Sequence, residues 1–176
     1  MGSNHMLAVE EEGAAAPETP DRESLRDLVR GKNINEETFL ATDYLNHFNE
    51  IIMILELVPS MPDCLEEALE WDPKSYEEHF EQSSFADKEL AILAYRHAPQ
   101  RFKGPFESAI AHMNFLVKDG LTRVGEAVES GDPVRIEEDV GILTRNLKRF
   151  IDVCSGIIHG DARTMDQAEI DCILSG

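Results

Sequence analysis

The chain encodes an all-α helical bundle of about four main helices, and three features of its 176 residues point there. Apolar residues recur at steps of three and four over three long stretches, the spacing that lines one face of a helix. No stretch alternates apolar and polar residues with a strand period, and no Asn-Gly hairpin signal occurs. Proline, glycine and aspartate stand at the ends of the long stretches, where helices start and stop.

Met1-Gly2-Ser3-Asn4-His5-Met6 has the look of an expression remnant ahead of a native Met6. Residues 7 to about 20 are acidic and rich in alanine and proline, as in Glu10-Glu11-Glu12-Gly13-Ala14-Ala15-Ala16-Pro17, and read as a disordered tail. Asp21 to Arg30 offers a short helix with Leu25, Leu28 and Val29 on one side, ended by Gly31-Lys32-Asn33. The first long helix is expected from Asn35, a capping residue, to Val58, with Leu40, Tyr44, Phe48, Ile51 and Leu55 inward. Pro59 and Pro62 end it.

Two short helices follow: Pro62 to Glu70 with Leu65 and Leu69 inward, and Lys74 to Gln82 with Tyr76 and Phe80. Trp71-Asp72-Pro73 separates them, so 59–85 is a broken connection across one end of the bundle. Residues 86–98 repeat the helical pattern through Leu90, Leu93 and Ala94 until Pro99. Lys103-Gly104-Pro105 is expected to open the next helix, whose stripe is Phe106, Ile110, Met113, Val117, Leu121, Val124 and Val128. Gly120 and Gly125 interrupt its propensity, and a close helix crossing would explain small residues there. Ser130-Gly131-Asp132-Pro133 is a tight turn that makes an antiparallel hairpin with the last helix, Val134 to Ile158, striped by Ile136, Val140, Leu143, Leu147, Phe150, Ile151 and Cys154. Gly160 is its stop. The domain reading is therefore remnant and tail at 1–20, bundle at 21–159, linker at 160–164 and a terminal peptide at 165–176.

Composition narrows the function. Thirty-five acidic and 16 basic side chains give a net charge of −19. Nucleic acid and anionic membrane surfaces are poor partners for such a chain, and a basic protein surface is a good one. Three widely spaced cysteines, Cys64, Cys154 and Cys172, form no zinc pattern and read as reduced thiols in a cytoplasmic protein. No apolar run approaches a membrane span. The repeated Glu-x-x-His signature of di-iron bundles is absent, as are nucleotide loops and nucleophile elbows. Long apolar stripes are compatible with a homodimer.

Two features can carry function. Asp43, Asn46, His47 and Glu50 cluster on adjacent turns of the first long helix, with Asn46 and Glu50 four apart and so on one face. The second is the terminal stretch Asp166-Gln167-Ala168-Glu169-Ile170-Asp171-Cys172-Ile173-Leu174-Ser175-Gly176. There Asp166 and Glu169 make a capping box, and Ile170, Ile173 and Leu174 fall on one narrow apolar face. About two turns of helix are unstable alone in water, so such a segment docks on its own domain or on a partner.

The ordered run Gln167-Ala168-Glu169-Ile170-Asp171 resembles the N-terminal peptide of the flagellar motor switch protein FliM, which docks the phosphorylated chemotaxis response regulator CheY. The phosphatase CheZ carries a related peptide at its C-terminus. Asp166 stands where serine is usual, and Cys172 where a small apolar residue is usual. The resemblance covers about a dozen residues. It implies a chemotaxis or motility accessory protein that binds a CheY-like regulator through Gln167, Glu169, Ile170, Asp171, Ile173 and Leu174. It needs no cofactor of its own, since the regulator supplies Mg²⁺ and the phosphoaspartate. A carboxylate and an amide on successive turns are also what CheZ brings to its regulator, the amide orienting water. Asn46 and Glu50 match that spacing, although the family's Asp-x-x-x-Gln segment is missing from the long helices. An aspartyl-phosphate phosphatase is thus one reading of the bundle. The context His47-Phe48-Asn49-Glu50 resembles a histidine phosphotransfer helix, which makes His47 the alternative catalytic residue if solvent reaches it. A non-catalytic structural bundle is the third reading.

Overall fold

A computed structural model describes residues 20–161, and within them every regular element is a helix. Helix α1 spans Arg22–Val29, α2 Asn46–Leu57, α3 Cys64–Leu69, α4 Tyr76–Gln82, α5 Lys88–Arg96, α6 Gln100–Ser130 and α7 Pro133–Ile158; a 3₁₀ turn, Thr42–Leu45, leads into α2. The long α6–α7 hairpin is the frame. Helix α2 lies against α7 and α3, α3 reaches α6, and α4 pairs with α5, which also meets α1.

The hairpin forms because its turn is chemically specified. Gly131 closes α6 at φ 70°, a left-handed conformation that a side chain disfavours. The Asp132 carboxylate then accepts from the Val134 N–H at 3.0 Å and caps α7, with Pro133 in the first turn. All of the expected α6 stripe from Phe106 to Val124 is buried, as are Ile136, Val140, Leu143, Leu147, Phe150 and Cys154 of α7. At Gly120 the two helices leave no room for a side chain: a Cβ there would meet the Leu143 side chain at 2.5 Å. Gly125 has no such neighbour, so only one of the two glycines serves the crossing. At the far end Gly160 takes φ 99°, and its N–H and that of Asp161 return to the Ile157 and Gly156 carbonyls.

Four details differ from the sequence expectation. The first long helix does not begin at Asn35. The Asn35 side chain does cap a turn, accepting from Glu37 and Thr38 N–H at 2.9 Å, but the turn closes on itself when Leu40 C=O accepts from Asn35 N–H. Thr38 donates its hydroxyl to the Ile158 carbonyl at 2.7 Å, and Phe39 adopts φ 59° to bury its ring. A tertiary anchor on the end of α7 thus wins over helix continuation. Next, Leu69 points outward at 58% exposure, while Ala68 is the buried residue of α3. Leu28 of α1 likewise lies half exposed, with Leu25 and Val29 inside. Finally, α6 starts at Gln100, five residues before Pro105, which sits inside the helix. Pro105 removes one helical N–H, and the burial of Phe102 and Phe106 on either side offsets that loss.

Candidate functional site

The 3₁₀ turn and the first turns of α2 form one wall of an open cleft of about 380 Å³. Asp43, Asn46, His47 and Glu50 line it, as the helical spacing requires. The opposite wall comes from far along the chain: Lys74 before α4, His79 and Gln82 on α4, and Ser83, Ser84 and Phe85 after it. A capping box starts α4, with Ser75 Oγ accepting from Glu78 N–H and the Glu78 carboxylate accepting from Ser75 N–H. Tyr76 and Phe80 are pulled into the core, and this phase leaves His79 facing the cleft. Tyr44 fastens the two walls: its hydroxyl donates to the Lys74 carbonyl at 2.7 Å, and its ring meets those of Tyr76 and His79.

Asn46 and Glu50 are both exposed at the mouth, within reach of a partner surface. His47 is not. Its side chain is 3% exposed and stacked on Trp71, ring centroids 4.6 Å apart and planes 20° from parallel. Trp71 Nε1–H donates to the His47 carbonyl at 3.1 Å, which holds the stack in place. Burial first, then the nearby Lys74 charge and His79, pull the His47 pKa down from 6.5 to about 4, against a hydrogen bond to the Asp72 backbone. Neutral pH therefore finds the ring uncharged. Its Nε2 has no hydrogen-bond partner among the described residues. A phosphoacceptor histidine must be open to an incoming aspartyl phosphate, and this ring is covered.

His79 is also held below the usual histidine range, by burial first, while a hydrogen bond to the Asp43 backbone and the charges of Glu50 and Asp43 act the other way. Among the described residues no three His, Cys, Asp or Glu side chains stand close enough to hold a metal ion. No described helix is long and apolar enough to cross a membrane.

No family model, no curated protein and no solved structure matches the chain. The cleft therefore has to be interpreted from its own chemistry. An exposed amide and carboxylate, a second carboxylate and a neutral imidazole floor can accept and orient hydrogen bonds. The second wall, with Lys74, His79 and Gln82, escaped the sequence reading. The one local hint was the capping box at Ser75 and Glu78, which phases α4. The peptide residues Gln167, Glu169, Ile170, Asp171, Ile173 and Leu174 lie outside the described residues.

Proposed function

We propose that this chain is a chemotaxis or motility accessory protein that binds a CheY-like response regulator through residues 165–176 and acts on its phosphorylated form with the cleft at Asn46 and Glu50. The observation that carries the reading is the ordered Gln167-Ala168-Glu169-Ile170-Asp171 run, with Ile173 and Leu174 completing an apolar face. The cleft supports the second half. Asn46 and Glu50 are exposed, share one face and border a concave site, so a docked regulator could bring its phosphoaspartate and metal to them. In that arrangement the Asn46 amide orients a water for in-line attack, and Glu50 accepts a hydrogen bond from the regulator. The charge of −19 favours a basic docking surface.

The phosphotransfer alternative through His47 loses ground on burial, since a ring 3% exposed offers no approach to a phosphoryl donor. A cytoplasmic location follows from the proposed partner and stands or falls with it.

Titrating phosphorylated and unphosphorylated CheY-type regulator against the full chain, and against a chain ending at Arg163, tests the reading. Tighter binding of the phosphorylated form, lost on truncation, is the expected result. Equal binding by the two chains, or by neither, overturns it. Following inorganic phosphate release in the same mixtures separates hydrolysis from simple capture, and Asn46→Ala should abolish the release while leaving the binding.

A further inference from the structure

We propose that the segment 165–176 also has a seat on its own domain, in the furrow between the outer faces of α2 and α7. The contact needs no regulator, so it goes beyond the regulator reading and stands without it.

One bank of the furrow is apolar. On α2 the exposed stripe runs on from Asn46 and Glu50 to Met53 and Leu57, at helical steps of four, three and four. Met53 is 66% exposed and Leu57 45%. Met61 extends the row at 49%, because its N–H turns back to the Leu57 carbonyl at 2.8 Å. Single apolar side chains scattered over a surface are ordinary, whereas a row of them marks a contact surface. Methionine suits a surface that is covered and uncovered, since its side chain repacks easily.

The other bank is basic. From Arg145 to Ile158, α7 carries three basic side chains, Arg145, Lys148 and Arg149, against one acid, Asp152. The chain as a whole has 35 acids and 16 bases, so this stretch inverts its charge. All three basic residues are exposed. Lys148 pairs with Glu56, the chain neighbour of Leu57, which sets the two rows side by side. Arg145 and Arg149 have no ion pair among the described residues.

Three observations make 165–176 the occupant. Its charged side chains are Asp166, Glu169 and Asp171, with no base among them, which is the charge the two arginines lack. In the capped helix its sequence encodes, Ile170, Ile173 and Leu174 form one face and Asp166 and Glu169 share one flank. Apolar and acidic groups then lie in the order in which the banks present apolar and basic ones. The segment also reaches. Lys148 stands back from Ile158 by roughly 15 Å of helix. Residues 162–169 can span roughly 26 Å, so Ile170 comes level with Lys148 with length to spare. So short a tether holds the segment at a local concentration on the order of millimolar, and weak contacts suffice. A regulator that takes the same apolar face must displace it first, which lowers the apparent affinity; that consequence alone rests on the regulator reading.

The test compares methionine methyl resonances of the full chain with those of a chain ending at Arg163. Met53 should move between the two, while Met113, buried between α6 and α7, stays put. A synthetic 165–176 peptide added to the shorter chain should carry Met53 saturably toward its full-chain position, and a scrambled peptide of the same composition should not. Arg149→Glu, at an exposed position, should weaken that peptide's affinity about two- to five-fold, the scale of one exposed charge contact. Ile170→Asp in the full chain should return Met53 to its place in the shorter chain. An identical Met53 resonance in the two chains overturns the proposal. Equal response to ordered and scrambled peptide overturns it as well, as does an affinity untouched by Arg149→Glu. A full-chain shift that fades on dilution puts the segment on a second copy and also overturns the seat proposed here.

Discussion

His47 ties the fold to the site through one buried ring. Above pH 6.5 the ring is neutral whether the chain is folded or not. Between 6.5 and about 4 the unfolded chain takes up a proton that the folded chain refuses, so stability falls as pH drops through that window. By pH 4.5 the loss from this residue should reach about 2–3 kcal/mol. His79, shifted in the same direction, adds to it. His47→Phe keeps an aromatic ring on Trp71 and removes the proton, so urea midpoints at pH 7.5 and 4.5 should differ less in the variant than in the parent. An identical pH dependence in the two would contradict the burial. The burial itself was legible in the sequence, since His47 lies in phase with Tyr44, Ile51 and Ile54. The imidazole's neighbours were not. Trp71 and His79 reach it only because α3 packs on α2 and α4 on the 3₁₀ turn that leads into it, and no local pattern reports that.

At the scale of elements, α6 and α7 were read nearly residue by residue, because a long helix repeats its signal many times and its turn carries Asp132 and Pro133. The segment at 35–41 was misread for the opposite reason. Its pattern is helical, but bonds to partners far away in sequence, from Thr38 to the Ile158 carbonyl and from Ala41 N–H to the Tyr76 hydroxyl, fix another path. The two glycines of α6 give a clean contrast. Gly120→Ala should destabilise the protein by about 1–3 kcal/mol, because the new methyl meets Leu143 at 2.5 Å in a packed crossing. Gly125→Ala, with open space around it, should stabilise by about 0.5–1 kcal/mol through helix propensity alone. Denaturant midpoints measure both, and the opposite signs are the test. Ser75→Ala removes half of the capping box of α4 and should cost about 1 kcal/mol, with the His79 ring resonance shifting as its helix start frays.

For the whole molecule, the proposed division of labour sets a helical body, with a cleft lined by Asp43, Asn46 and Glu50, beside a docking peptide that is separate in sequence. The body was legible as a fold class and as a cluster on α2. The cleft became visible only once α4 and the 83–85 segment were in place. Charge acts at this scale too: a partner drawn by −19 should associate more slowly as salt rises, with a Debye length of about 8 Å near 0.15 M screening all but the contacting charges. The most direct measurement of the central claim is the affinity of the full chain for phosphorylated CheY-type regulator before and after Ile170→Ala. An apolar anchor is worth roughly 1–3 kcal/mol, so Kd should rise by about five-fold to more than a hundred-fold. An affinity unchanged by Ile170→Ala would contradict the claim that residues 165–176 are where the regulator docks.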